Sequence, residues 1–311
     1  MTEAPAALPR DLRIVELAAP GGALVARFAA GAGMVGCSLR HHGEELLGLG
    51  GGLDAYLGEG AVFGLPLLHP WANRLAGWSY AAAGREVVLD RGSPLLHGEE
   101  HCLPIHGALA AGSDWKVTRH EAAALRAELD WGAHPDLLTV FPFAHRLALD
   151  IAVEDDAVQV LATVRAGPDA PVPLAFGFHP YLAPPGAPRE AWEVELPART
   201  ELCLDDRGLP DGAVVERPRE RLTLGTRTFD DLFALPVDGA RFSVSGGGRR
   251  VAVEFGPGYP YAQVFAPAEQ PVICFEPMTA PTNALRSHDG LRLVPAGAAA
   301  TAAFALRVEP A

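Results

Sequence analysis

An all-β fold, a large and mostly antiparallel β-sandwich, is what this 311-residue sequence predicts. Three observations carry the prediction. Apolar and polar residues alternate at period two over long stretches in the middle of the chain. Turn formers are dense, with 34 glycines and 28 prolines, about a fifth of the chain, yet below the low-complexity range. Finally, no stretch keeps a long amphipathic helical period and strands do not alternate with helices, which argues against a parallel α/β sheet. Hydrophobic residues make up 49% of the sequence, ample for a core. With no clear linker and no internal repeat, the expectation is one domain over residues 1–311.

In chain order, short strands are predicted over residues 12–17, 23–28, 86–89, 115–118 and 125–131. The clearest pattern follows. Leu147, Leu149, Ile151 and Val153 alternate with Ala148, Asp150 and Ala152. After Glu154-Asp155-Asp156, Val158, Val160, Ala162 and Val164 share one face, so the two runs read as a hairpin around an acidic turn. Residues 192–196 read as a short strand. A second hairpin is predicted over 241–255, where Gly246-Gly247-Gly248 supplies the positive φ of a tight turn. Strands are also expected over 261–265, 272–275 and 304–308, and residues 184–188 read as a loop.

The bulk numbers exclude several function classes. The net charge is −13, whereas nucleic-acid and anionic-membrane binding both need a basic face. Neither partner is expected. Four dispersed cysteines, Cys37, Cys102, Cys203 and Cys274, contain no CxxC pair, so zinc-ribbon and thioredoxin-type motifs are excluded and free thiols are expected. Residues 1–10 lack a basic start and an apolar core, so no secretory signal is read there. The weakly polar run 294–306 is too short to span a bilayer. A soluble, cytoplasmic protein is the expectation.

Four segments concentrate polar side chains among glycines, prolines and aromatics. In residues 64–78, Arg74 carries a rigid fork of donors and Asn73 both donates and accepts, which suits a polyhydroxylated ligand. Trp71 or Trp78 offers a flat apolar face to the C–H side of a sugar; the alternative is an arginine that anchors turns. In the second segment His106 precedes Gly107, with His97 in Leu96-His97-Gly98 as its rival. The third, Phe176-Gly177-Phe178-His179-Pro180-Tyr181, sets an imidazole among three aromatics. Pro180 holds His179 in extended geometry, as a proton donor or as a packed core histidine. In the fourth, Glu276 ends the apolar run Val272-Ile273-Cys274-Phe275 and precedes Pro277. A carboxylate there is paired, functional, or simply reaching water.

Taken together and in this order, the segments resemble the aldose 1-epimerase family, the galactose mutarotases and their relatives. Asn73-Arg74-Leu75 with Gly77 resembles the family's Asn-Arg-Ile segment. His106-Gly107 is similar to its first histidine motif, and Phe178-His179-Pro180-Tyr181 to its second. Phe229-Asp230-Asp231-Leu232-Phe233 resembles its Asp followed three residues later by Phe. Phe275-Glu276-Pro277, followed by Pro281 and Asn283, resembles its Leu-Glu-Pro element. His106 is preferred over His97 because Trp115-Lys116-Val117 follows at the expected distance; Pro180 departs from the best-known members and points to a divergent branch.

The resemblance implies a galactose mutarotase-like β-sandwich that interconverts the α and β anomers of an aldose. One group takes the proton of the C1 hydroxyl while another protonates the ring oxygen; rotation and reclosure follow. It needs no cofactor and no metal. The resemblance assigns Glu276 as base, His179 as acid, and Arg74, His106, Asp230 and Asn73 to the substrate, with Asp231 the fallback for Asp230. On ordinary values Glu276 is ionised, and a nearby carboxylate lifts His179 enough to keep it protonated. Two alternatives stay open: a hexose-phosphate mutarotase using Arg217, Arg219, Arg221, Arg249 or Arg250, and a carbohydrate-binding protein without turnover. The sequence leaves the oligomeric state open.

Overall fold

The structure, a computed structural model, describes residues 11–60, 62–108, 115–236 and 239–311. Two large antiparallel sheets form the sandwich. One has nine strands, ordered Lys116–Glu121, Ala124–Asp130, His145–Val153, Ala157–Ala166, Ala299–Pro310, Arg249–Phe255, Ala240–Gly246, Glu193–Leu196 and Glu220–Thr223. The other has eight and runs Pro210–Arg217, Arg199–Leu204, Phe229–Ala234, Tyr261–Ala266, Ile273–Met278, Gly177–Phe178 and Leu67–Leu68, with Tyr181–Leu182 also paired to Ile273–Met278. Their inner faces meet through aromatic rings: Phe242 lies 5.5 Å from Phe275, and Phe304 lies 4.9 Å from Phe178, centroid to centroid. A four-stranded sheet over Ile14–Ala18, Leu24–Ala29, Val35–His41 and Glu44–Glu45 packs its apolar residues into the same buried cluster.

Both predicted hairpins form. His145–Val153 pairs with Ala157–Ala166, and Val153 opposes Val158 across the acidic turn. Ala240–Gly246 pairs with Arg249–Phe255 around Gly247 and Gly248, whose φ values of 57° and 81° suit a two-residue hairpin loop. The short strand readings fall within a few residues of observed strands. Strands such as Val35–His41, Arg199–Leu204 and Pro210–Arg217 were not legible, the last because all eight of its residues are exposed and show no apolar face. The helices among the described residues are short, and none is long and apolar enough to cross a membrane. All four cysteines are unpaired.

One correction bears on the site. Glu276 does not end its strand or reach water. Pairing continues through Pro277 to Met278, and all six residues of Ile273–Met278 are buried. The strand lies inside the sheet and is covered on both faces, so its sequence reads as a continuous apolar run without alternation.

Candidate active site

The pleat decides which residues meet. Phe275 points into the sandwich against Phe242, so Glu276 projects from the opposite, outer face of the eight-stranded sheet. Directly paired residues share a face. Gln263 pairs with Glu276, Phe265 with Cys274, and Asp230 with Phe265, so all of these line the outer face. Asp231 pairs with Val264 and faces away. A hairpin of Leu96–Gly98 and Pro104–Ala108 stands over this face. The cleft between them, about 350 Å³, is lined by Asn73, Arg74, His97, His106, His179, Tyr181, Asp230, Phe265 and Glu276, a volume suited to one small ligand.

His179 and Glu276 are in contact at the buried floor. His179 Nε2 lies 3.1 Å from Glu276 Oε1, and the residues are 4% and 1% exposed. His179 bridges two short strands, and its N–H donates to the Pro66 carbonyl at 3.1 Å. Its ring stacks on Tyr181, centroids 4.3 Å apart and planes 6° from parallel, with the Tyr181 hydroxyl 3.4 Å from Nε2. Glu276 Oε2 and His179 Nδ1 are buried without a hydrogen-bond partner. Each of these two atoms keeps hydrogen-bonding capacity that the protein does not use.

The electrostatics reverse the expected poise of this pair. Burial pushes His179 well below its ordinary value, and His106 adds to that. Burial pushes Glu276 well above its ordinary value, with Asp230 adding and Arg74 opposing. Desolvation of two fully buried groups outweighs their mutual attraction, so burial disfavours the separated charges.

The remaining groups are set by unusual backbone. Asn73 and His106 take left-handed φ values of 57° and 61°, conformations that persist in non-glycine residues only when surrounding contacts hold them. Here the His106 N–H donates to the Asn73 carbonyl at 3.0 Å, and the Asn73 N–H donates to His106 Nδ1 at 3.3 Å. His106 therefore carries its proton on Nε2 as a neutral donor, and burial first, then Arg74 and His97, lower its pKa to about 3. Gly107 follows with φ 66°; a Cβ there would lie 2.5 Å from the His69 carbonyl oxygen. Asn283, named with the Glu276 motif, buttresses the Arg74 loop. Its N–H donates to the Arg74 carbonyl, and its Oδ1 accepts from the Ala76 N–H.

Arg74 lies between acceptors, with Asn73 Oδ1 3.2 Å from Nη1, Asp230 Oδ2 3.4 Å from Nη2 and Glu99 Oε2 3.5 Å from Nε. The six residues singled out by the sequence thus share one cleft. His97, the rival of His106, lines it too; His106 is the one whose ring centroid lies 5.5 Å from that of His179. Two expectations fail. Trp71 is buried in the core and Trp78 is covered by Arg91, so neither faces the cleft, whose aromatic walls are Tyr181 and Phe265. Of the three aromatics around His179, Phe176 and Phe178 turn inward against Tyr259 and Phe304. Gln263 escaped the sequence reading. Its Nε2 donates to Asp230 Oδ1 at 2.6 Å, and the signal was available: it is the lone polar side chain in an otherwise apolar strand.

Comparison with known proteins bears on the family and the fold. The family profile described as "Aldose 1-epimerase" matches residues 13–307. The Slr1438 protein of Synechocystis is 19% identical and superimposes with a TM-score of 0.79 over 100% of both chains. A galactose mutarotase-like protein from Clostridium acetobutylicum is 17% identical, with a TM-score of 0.80 over 97% of this chain and 99% of its own. A GalM/aldose epimerase homologue from Caenorhabditis elegans ("C. elegans") is 15% identical, with a TM-score of 0.76 over 96% and 98%. At such identities the likeness establishes the fold. No curated protein sequence gives a significant match.

Proposed function

The chain belongs to the aldose 1-epimerase family, and from that premise we propose that it is a mutarotase acting on an uncharged aldose. The observation that carries the reading is the buried contact between His179 Nε2 and Glu276 Oε1, 3.1 Å apart, beneath a cleft lined by hydrogen-bonding side chains. Binding alone does not call for a carboxyl–imidazole pair held out of water. Ring opening does, because one proton must leave the C1 hydroxyl as another reaches the ring oxygen.

The single proton shared by the pair is sufficient. At rest it sits on the carboxyl side, because burial raises Glu276 and lowers His179. Transfer along the 3.1 Å contact produces the Glu276 carboxylate and the His179 imidazolium. The sugar's hydroxyls replace lost solvation and favour that state. The Glu276 carboxylate then takes the C1 hydroxyl proton while His179 protonates the ring oxygen as the C1–O5 bond breaks. After rotation about C1–C2 the two exchange roles and the ring closes on the other face. Arg74, His106 Nε2–H, Asp230 and Asn73 hold the remaining hydroxyls.

The charge of the cleft supports a neutral sugar over a phosphorylated one. Arg74 is the one Lys or Arg among the described residues that line it, and it is shared by Glu99 and Asp230. The other arginines considered for a phosphate lie elsewhere and are engaged: Arg217 with Glu201, Arg219 and Arg250 with Glu195, Arg221 with Glu193, and Arg249 with Glu44. Anomer-resolved NMR on fresh α-D-glucose and α-D-galactose tests the reading. The protein should speed equilibration well beyond the buffer rate, and Glu276→Gln should lose about a hundredfold or more of that rate. A wild-type protein that leaves every common aldose at the buffer rate overturns the proposal.

A further inference from the structure

Glu99 sits in the turn of the hairpin over the cleft, and its two carboxylate oxygens have different surroundings. Oε1 accepts the backbone N–H groups of His101 and Leu103, both at 3.0 Å. The Glu99 N–H donates to the Leu103 carbonyl, and the Cys102 N–H donates to the Glu99 carbonyl, so backbone and side chain are locked together. Oε2 is buried and accepts no hydrogen bond. It lies 3.5 Å from Arg74 Nε, which is also buried without a hydrogen-bond partner. The two side chains are only 11% and 13% exposed. A Cβ at Gly208 would lie 2.8 Å from Nη1, so the 205–208 turn leaves the guanidinium little room to swing.

We infer that Glu99 is a positioning residue for Arg74. It fixes the guanidinium edge-on, with Nη1 and Nη2 toward the cleft, and offsets its charge so that Arg74 serves as a donor to uncharged hydroxyls. This rests on the mutarotase reading only for the identity of the ligand. Asp230 cannot substitute for Glu99, because its side chain is 43% exposed and meets Arg74 through Nη2 alone. A half-buried cation that loses its buried counter-ion reorients toward whatever acceptors remain. Glu99 touches no reacting atom, so its removal should weaken sugar binding and leave the chemical step largely intact.

Two substitutions separate positioning from a purely structural role. Glu99→Gln keeps an oxygen for the His101 and Leu103 N–H groups but loses the charge facing Arg74; Glu99→Ala loses both. In 1H–15N spectra the Arg74 Nε–H of the wild type should exchange slowly with water. In Glu99→Gln that exchange should accelerate at least about tenfold, and KM for D-glucose or D-galactose should rise about tenfold with kcat within about threefold. Fast Arg74 Nε–H exchange in the wild type overturns the inference even if the variants fold poorly. So does a Glu99→Gln protein with wild-type exchange and KM beside an impaired Glu99→Ala protein, since Glu99 would then only hold the turn. A loss confined to kcat also overturns it. Should the wild type prove inactive on all aldoses, the mutarotase reading falls and the Nε–H exchange in Glu99→Gln still decides the Glu99–Arg74 coupling.

Discussion

His179 illustrates how a side chain's chemistry depends on what its neighbours displace. An isolated imidazole titrates near 6.5, but this one is pushed well below that by burial, while the partner carboxyl is pushed well above 4.5. The pair therefore keeps one proton over a broad range, and its apparent pKa values belong to the two groups jointly. For activity, the acid limb arises when a second proton joins the pair, which the lowered His179 delays to pH values well under 6.5. The alkaline limb arises when the shared proton leaves, which the raised Glu276 delays to well above 4.5. Accordingly, kcat/KM for D-glucose should show no acid limb centred near 6.5; such a limb would show that His179 titrates as a free imidazole. The sequence placed His179 correctly at a strand end ahead of Pro180, directly after Gly177–Phe178. It could not show that Phe176 and Phe178 turn inward and leave Tyr181 as the contacting ring, because that depends on which face of the sheet is the sandwich core.

At the scale of the strand, pleat parity separates two adjacent carboxylates that the sequence left as alternatives. Asp230 shares a face with Glu276 and accepts from Arg74 and Gln263, whereas Asp231 lies on the other face among Glu201, Arg199 and Arg217. Asp230→Asn should raise KM for the sugar, while Asp231→Asn should leave kinetics unchanged. Burial first, then Glu201 and Asp230, raises the pKa of Asp231 to about 6. Its folded value exceeds its unfolded one, so it favours the fold when protonated and that contribution is lost as pH rises from about 4 through 6. Asp231→Asn should therefore raise Tm at pH 8 relative to wild type and make little difference at pH 4; equal effects at both would refute the assignment. The hairpin over the cleft depends on a different backbone feature. Gly107→Ala places a methyl 2.5 Å from the His69 carbonyl oxygen at φ 66°, and should cost about 2 kcal/mol or more in urea unfolding while raising KM through His106.

Across the whole molecule, the core holds a second histidine pair that the site does not use. His145 Nδ1 donates to the Phe143 carbonyl at 2.6 Å, so its Nε2 accepts from His69 Nε2 at 3.0 Å. Trp131 and Phe141 enclose both rings. Burial lowers His145 to about 4 and His69 well below 6.5. The unfolded chain then binds protons that the native state refuses, so stability present above pH 6.5 is lost as pH falls toward 4. The loss attributable to His145 should reach about 3 kcal/mol, measurable as a falling urea midpoint between pH 7 and 4.5, and His145→Gln should flatten that slope. By itself the sequence determined the all-β class and both hairpins, and its resemblance to the family named six residues of the cleft with Asp231 as the fallback for Asp230. The fold signals are local, period-two alternation and glycine turns, whereas the site residues came from motifs that resemble the family's and follow one another in its order. Only the tertiary structure decided the rest. The contact of His179 with Glu276, the choice of Asp230 over Asp231, the locking of Arg74 by Glu99 and the reversed proton poise all depend on which strands pair and which face of the sheet is buried. Those relations join residues far apart in the chain, 156 positions between Arg74 and Asp230, and desolvation is a property of the packed whole rather than of any segment.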